Sequence, residues 1–131
     1  MPSVFTKIIS RELPAYIVAE DENNMAILDI NPLVYGHVLV FSKIEVDLIF
    51  DLHSDHYSSL MAFTKKIGSQ MKLAFPSKRI AMSVVGLEVP HAHVHLLPIS
   101  NVYELNFTNK RCKFTNEEFT LCLDRIKSIT F

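Results

Sequence analysis

The chain has 131 residues, 13 Lys and Arg against 14 Asp and Glu, and a formal net charge of −1, a length that suits one domain with a real core. Near-neutral charge, with basic residues in short pairs such as Lys65-Lys66 and Lys110-Arg111 and in no cluster, argues against nucleic acid as a partner. No apolar run reaches the roughly 20 residues of a membrane span, and residues 1–7 lack a basic-then-apolar leader, so a cytoplasmic location without membrane attachment is expected.

In chain order, Ser3 caps a short helix that runs to about Ser10, with Val4, Phe5, Ile8 and Ile9 as its apolar stripe. Leu13-Pro14 ends it. Residues 15–20 and 25–29 read as two strands joined by the turn Asp21-Glu22-Asn23-Asn24. Gly36 leads into a strand over 37–42. Residues 45–52 read as a short helix, and Ser54 as the cap of a longer one. Tyr57, Leu60, Met61, Thr64, Ile67, Gly68, Met71 and Phe75 recur on the buried face of that longer helix. A strand over 80–85, the link 86–90 and a strand over 91–99 follow, the short link making the two strands antiparallel neighbours. Residues 100–113 are irregular, with Tyr103, Leu105 and Phe107 as anchors. Thr115 caps a last helix whose apolar side is Phe119, Cys122, Leu123, Ile126 and Ile129. The expected fold class is α+β, an antiparallel sheet of about five strands carrying helices. The three glycines exclude a Gly-rich phosphate loop, and Cys112 and Cys122 form no cysteine framework.

The segment His91-Ala92-His93-Val94-His95-Leu96-Leu97 holds three of the six histidines at period 2. On a strand they share one face, with Ala92, Val94 and Leu96 on the other. Three imidazoles in a row suit neither an ordinary core nor a plain solvent face, because each ring needs hydrogen-bond partners. Three readings compete. The row could ligate a metal, with His91 and His93 joined by His95, His37 or Glu88. It could be structural. Or one imidazole could be a nucleophile served by the others, with neighbouring imidazoliums stabilising phosphoryl charge.

The pattern His-φ-His-φ-His-φ-φ, with φ apolar, resembles the signature of the histidine triad (HIT) superfamily of nucleotide hydrolases and transferases. Phe5-Thr6-Lys7-Ile8-Ile9, then Glu12-Leu13-Pro14-Ala15, resembles the N-terminal stretch of its Hint-type branch. Asp29-Ile30-Asn31-Pro32, then Gly36-His37-Val38-Leu39-Val40, resembles a second block. The resemblance implies a HIT-like fold over a single domain, 1–131, with its core at 4–99 and a C-terminal extension with a helix at 100–131. It implies His93 as nucleophile, His91 as the residue that orients it, and His95 and His37 on the α-phosphate. It further implies Asp29 on the ribose hydroxyls, with Val4, Phe5, Ile8, Ile27, Ile30 and Leu39 as walls of the base pocket. The expected activity is release of a nucleoside monophosphate from an amine or phosphate leaving group, acting as a nucleotide phosphoramidase or hydrolase. The expected partner is a purine mononucleotide or nucleotide conjugate, the assembly a homodimer, and no metal or other cofactor is implied. Several features depart from the branch: the link before the triad is shortened to Val85-Gly86-Leu87-Glu88-Val89-Pro90, and the Asn that helps hold the phosphate has no clear counterpart. Glu88 stands where a Ser or Thr often meets the leaving group, and the tail beyond the triad carries a helix and no Trp. A non-catalytic mononucleotide-binding module and a metal-dependent hydrolase using the histidine row stay open as alternatives.

Overall fold

The computed structural model describes residues 2–130. Helix α1 (Val4–Ile9) is capped by Ser3, whose Oγ accepts the Thr6 N–H at 3.1 Å. Strands β1 (Ile17–Glu20), β2 (Asn24–Leu28) and β3 (Val38–Ser42) follow. Next come helix α2 (Ser54–Ala74), strands β4 (Arg79–Ser83) and β5 (His93–Ile99), and helix α3 (Asn116–Lys127). In α3, Thr115 and Glu118 form a capping box.

The five strands make one sheet in the order β1-β2-β3-β5-β4, with every pairing antiparallel. Its two faces differ in what covers them. Val18, Ala26, Leu28, Val38, Val40, Val94 and Leu96 face a core completed by Leu60, Phe63, Ile67 and Met71 of α2 and by Cys122 and Ile126 of α3. On the opposite face Met25, Ile27, Leu39 and Phe41 pack with Phe5 and Ile8 of α1. Phe5 lies flat on Phe41, with ring centroids 4.5 Å apart.

Several local expectations need correction. Residues 45–52 do not form a helix; only Ile49–Asp51 makes a single 3-10 turn. The groups an α-helix would use are tied elsewhere. The Val46 carbonyl accepts the Ala92 N–H at 2.7 Å, and Glu45 accepts the Ser3 N–H and the Thr6 hydroxyl, each at 2.6 Å. The cap of α2 is His53, whose Nδ1 accepts the Asp55 N–H, and not Ser54. Tyr57 lies outward on that helix while Phe63 joins the core, and Tyr103 is exposed and anchors nothing. Strand β5 begins at His93, because the His91 N–H turns back to the Val89 carbonyl at 2.8 Å.

The connection between β2 and β3, residues 29–37, is closed by the Asp29 N–H donating to the His37 carbonyl at 2.9 Å. Gly36 holds φ +89, and a Cβ there would lie 2.9 Å from Pro98 and 3.0 Å from Phe75. Both the backbone sign and the space demand glycine. Gly68, inside α2, is the opposite case: a Cβ there would meet nothing within 4 Å. Gly36→Ala is therefore expected to lower stability by about 2–3 kcal/mol, and Gly68→Ala to raise it by roughly 0.5–1 kcal/mol. Urea unfolding of both variants reads the two opposite signs.

Candidate active site

The register that pairs β3 with β5 sets Phe41 opposite His93 and Leu39 opposite His95. Both imidazoles thus lie on the α1 face, away from the α2 core. The alternation read from the sequence holds, since Ala92, Val94 and Leu96 belong to the core on the other face. His91 precedes the strand but turns to the same side, its ring edge-on to Phe5 and Phe41 at 5.6 and 5.5 Å. All three are buried, and so is His37.

Backbone groups of fixed polarity settle where each proton sits. The Leu33 N–H donates to His37 Nδ1 at 3.0 Å, so neutral His37 carries its proton on Nε2. That Nε2–H points at His95 Nδ1, 2.9 Å away, which must accept. His95 therefore presents Nε2–H. His93 Nδ1 donates to the His91 carbonyl at 2.8 Å, which leaves a lone pair on Nε2. His91 is saturated: Nε2–H donates to the Ser42 carbonyl at 2.7 Å, and Nδ1 accepts the Ser3 hydroxyl at 2.8 Å. Ser3 thus serves both the helix cap and the triad. Neither His93 Nε2 nor His95 Nε2 has a hydrogen-bond partner among the described residues. An acceptor and a donor stand side by side on rings whose centroids are 4.8 Å apart.

Both rings open onto a cleft of about 390 Å³, within the usual range for a small-molecule site. The cleft is lined by His93, His95, Asp29, Val4, Phe5, Ile8, Ile27, Ile30, Leu39 and Glu88. Every wall and ribose residue expected from the sequence is brought together there. Asp29 Oδ1 is occupied by the Asn31 N–H at 2.8 Å, while Oδ2 lies 3.6 Å from His37 Nε2. Glu88 stands exposed at the rim. One expectation changes: His37 is not a wall of the cleft and sits behind His95, to which it is hydrogen-bonded. His91 lies behind His93, its carbonyl accepting the His93 Nδ1–H and both of its own ring nitrogens spent. Sequence reasoning missed Thr108 and Arg111, which line the cleft from the segment between β5 and α3, and it gave Phe107, beside them, only the part of an anchor. No periodicity marks the three.

The HIT domain family matches residues 10–102. The chain belongs to the HIT family. A purine nucleoside phosphoramidase of Escherichia coli is 34% identical over 101 residues, covering 72% of this chain and 85% of that protein. A histidine triad nucleotide-binding protein from Sulfolobus tokodaii has a solved structure with TM-score 0.79 and 27% identity, over 95% of this chain and 89% of that one. A Zn-bound histidine triad family protein from Mycobacterium smegmatis superposes with TM-score 0.78 and 26% identity, over 95% and 93% of the two chains.

The last of these raises the question of a metal in this HIT protein. His91, His93 and His95 do not converge as ligands, because His91 is spent on Ser42 and Ser3. Asp29, His37 and His95 do bring one donor atom each within 4.8 Å of one another. A cation there would need the lone pair of His37 Nε2, which moves the His37 proton to Nδ1, against the Leu33 N–H. Two donors would then face each other at 3.0 Å. The donor set does not fit a metal while that backbone bond stands.

Burial pushes the pKa values of His37 and His95 from 6.5 down to about 3. The positive field of Arg111 adds to the effect at His37, and the partner imidazole His37 adds to it at His95. Burial also lowers His91. The imidazolium neighbours expected from the sequence are thus replaced by neutral rings that act as oriented donors. The linkage has a definite sign. An unfolded chain takes up protons near pH 6.5 that the folded HIT protein refuses, so stability is full above that pH and falls as the solution is acidified toward pH 3. The slope is about 1.4 kcal/mol per pH unit for each histidine. Urea midpoints measured from pH 7 to pH 5, above the carboxylate range, should fall steadily; a flat profile would mean that these rings are charged in the fold.

Proposed function

We propose that this HIT protein is a nucleotide hydrolase that releases a nucleoside monophosphate from an amine or phosphate leaving group through a nucleotidyl-histidine intermediate at His93. The observation that carries the reading is the proton arrangement: His93 Nε2 has a lone pair open to the cleft because Nδ1–H is held by the His91 carbonyl, and His95 Nε2–H stands beside it. His93 Nε2 attacks the α-phosphorus, the bond to the leaving group breaks with its electron pair, and the leaving group takes a proton from solvent as it departs. Water then attacks the same phosphorus, the N–P bond breaks and returns the lone pair to His93 Nε2, the water's proton passes to solvent, and the nucleoside monophosphate leaves. In the intermediate the imidazole carries positive charge, which the Nδ1–H···O=C bond stabilises. His95 Nε2–H donates to a non-bridging oxygen as charge gathers there.

Asp29 Oδ2 suits the ribose hydroxyls, and the aliphatic and aromatic walls suit a flat base. These walls offer few edge-reading groups, which favours breadth among bases. A purine is the partner proposed, supported by the purine nucleoside phosphoramidase of Escherichia coli among the relatives. Glu88, at the rim, suits contact with the leaving group, where a carboxylate favours a protonated amine. A homodimer is part of the same proposal. It is supported by the outer edge of β4, which pairs only with β5 among the described residues, and by the exposed side chains of Met82, Val84, Val85 and Leu87 at and beyond it. Unpaired strand edges of this kind invite a second chain. A cytoplasmic setting also belongs to the proposal; no helix among the described residues is long and apolar enough to cross a membrane.

The test mixes the protein briefly with adenosine 5′-phosphoramidate and reads the intact mass. An adenylyl adduct should form on the wild type and be absent from His93→Ala, which should still bind AMP. Replacing His95 with Ala should slow turnover on the order of a hundredfold, about 3 kcal/mol. Glu88→Gln should change the ranking of amine against phosphate leaving groups and leave the adduct in place. AMP that binds without any adduct or turnover would instead favour a mononucleotide-binding module.

A further inference from the structure

The match to the HIT domain family ends at residue 102, and the cleft is completed by Phe107, Thr108 and Arg111, which lie past that match. Arg111 is the one Lys or Arg among the described residues that line the cleft, whose other fixed charges are the carboxylates Asp29 and Glu88. The guanidinium is placed by structure on both sides. Its Nη1 donates to the Asn31 carbonyl at 3.0 Å, and it sits over the Phe107 ring at 5.7 Å. Phe107 in turn meets His95 edge-on at 4.8 Å. The segment that carries Arg111 is fastened to the same loop, where the Cys112 N–H donates to the Pro32 carbonyl at 2.8 Å and Cys112 Sγ lies 3.4 Å from the Leu33 carbonyl. Beyond the single bond to Asn31, the guanidinium N–H groups have no protein partner among the described residues.

A bound nucleotide brings at least one full negative charge into a cleft whose fixed charges, Arg111 apart, are the carboxylates Asp29 and Glu88. His95 offers a hydrogen bond without charge, and burying an uncompensated anion is costly. A guanidinium is always protonated and has a fork of donors that matches phosphoryl oxygens. We infer that Arg111 is the phosphate-reading cation of this cleft, supplied by the segment between β5 and α3 and serving the phosphoryl group of the nucleotide. The inference rests on the nucleotide reading of the site. Arg111 makes the cleft prefer a phosphorylated nucleoside to the nucleoside itself.

The experiment is calorimetric titration of AMP and of adenosine into wild type, Arg111→Gln and Arg111→Lys, with thermal unfolding to confirm that each variant is folded. Wild type should bind AMP more tightly than adenosine. Arg111→Gln should weaken AMP by roughly tenfold to a hundredfold, the range for a hydrogen bond to a charged group, and leave adenosine unchanged. Arg111→Lys should restore part of the loss, because the charge returns without the fork. Equal affinity of wild type and Arg111→Gln for AMP would overturn the assignment and leave the nucleotide reading standing, as would a parallel loss for AMP and adenosine. Failure of wild type to bind either compound would remove the nucleotide reading and Arg111's role together.

Discussion

One backbone donor, the N–H of Leu33, sets the chemistry of the cleft. It cannot titrate or rotate away while the loop holds, and it fills the Nδ1 lone pair of His37. Everything downstream is fixed by exclusion. His37 must donate from Nε2, His95 must accept at Nδ1, and a neutral His95 must offer its own Nε2–H to the cleft. Two residues earlier in the chain, the His91 carbonyl imposes the opposite outcome on His93. Two chemically identical side chains become a donor and an acceptor because two different main-chain groups stand behind them. Side-chain acceptors in those places would change character with pH; main-chain groups do not.

That arrangement explains how the fold tolerates four buried imidazoles. An unpaired polar group in such a place costs on the order of 1–3 kcal/mol, but each buried ring nitrogen that faces protein has a partner, and the two without one face the cleft. Phe5, Phe41, Ile27 and Leu39 pack together on the triad's side of the sheet, and burial keeps His37 and His95 neutral. The sheet can sustain this because its other face carries the principal core with α2 and α3. The small helix α1 need only cover one side of the cleft. Ser3 ties that cover to the triad through His91, so helix α1 and the triad are one mechanical unit.

Period-2 spacing is enough to put His93 and His95 on one face and Val94 and Leu96 on the other, because strand geometry leaves no other choice. The resemblance is needed for Asp29 and the apolar walls, which by pattern alone are a turn residue and core. What pattern and resemblance both miss depends on particular hydrogen bonds, two of them between residues far apart in sequence. Residues 45–52 have helix-compatible spacing, but Glu45 serves Ser3 and Thr6, some 40 positions earlier. His91 is in phase with the other two histidines, yet the turn back to Val89 takes it off the strand. His37 reads from sequence as a phosphate contact, and its place behind His95 follows from the Leu33 bond, which no local rule discloses. Arg111 reaches Asn31 across 80 residues of sequence, and the irregular segment that carries it has no period to read.

The placement of charge in the cleft follows one logic. A histidine that is to attack phosphorus must be neutral, and a cationic histidine next to it would have to hold a proton in an apolar setting that resists it. Moving the positive charge onto a guanidinium separates the two demands. Arginine stays charged in surroundings that would discharge an imidazole, and its field further discourages protonation of His37 and His95. The cation that would balance a phosphate thus also helps to keep the adjacent donors in their working form. Such a charge could not come from the triad strand, where each ring is already committed. It could come from an element outside the sheet that arrives at the open side of the cleft, which is where the segment between β5 and α3 runs.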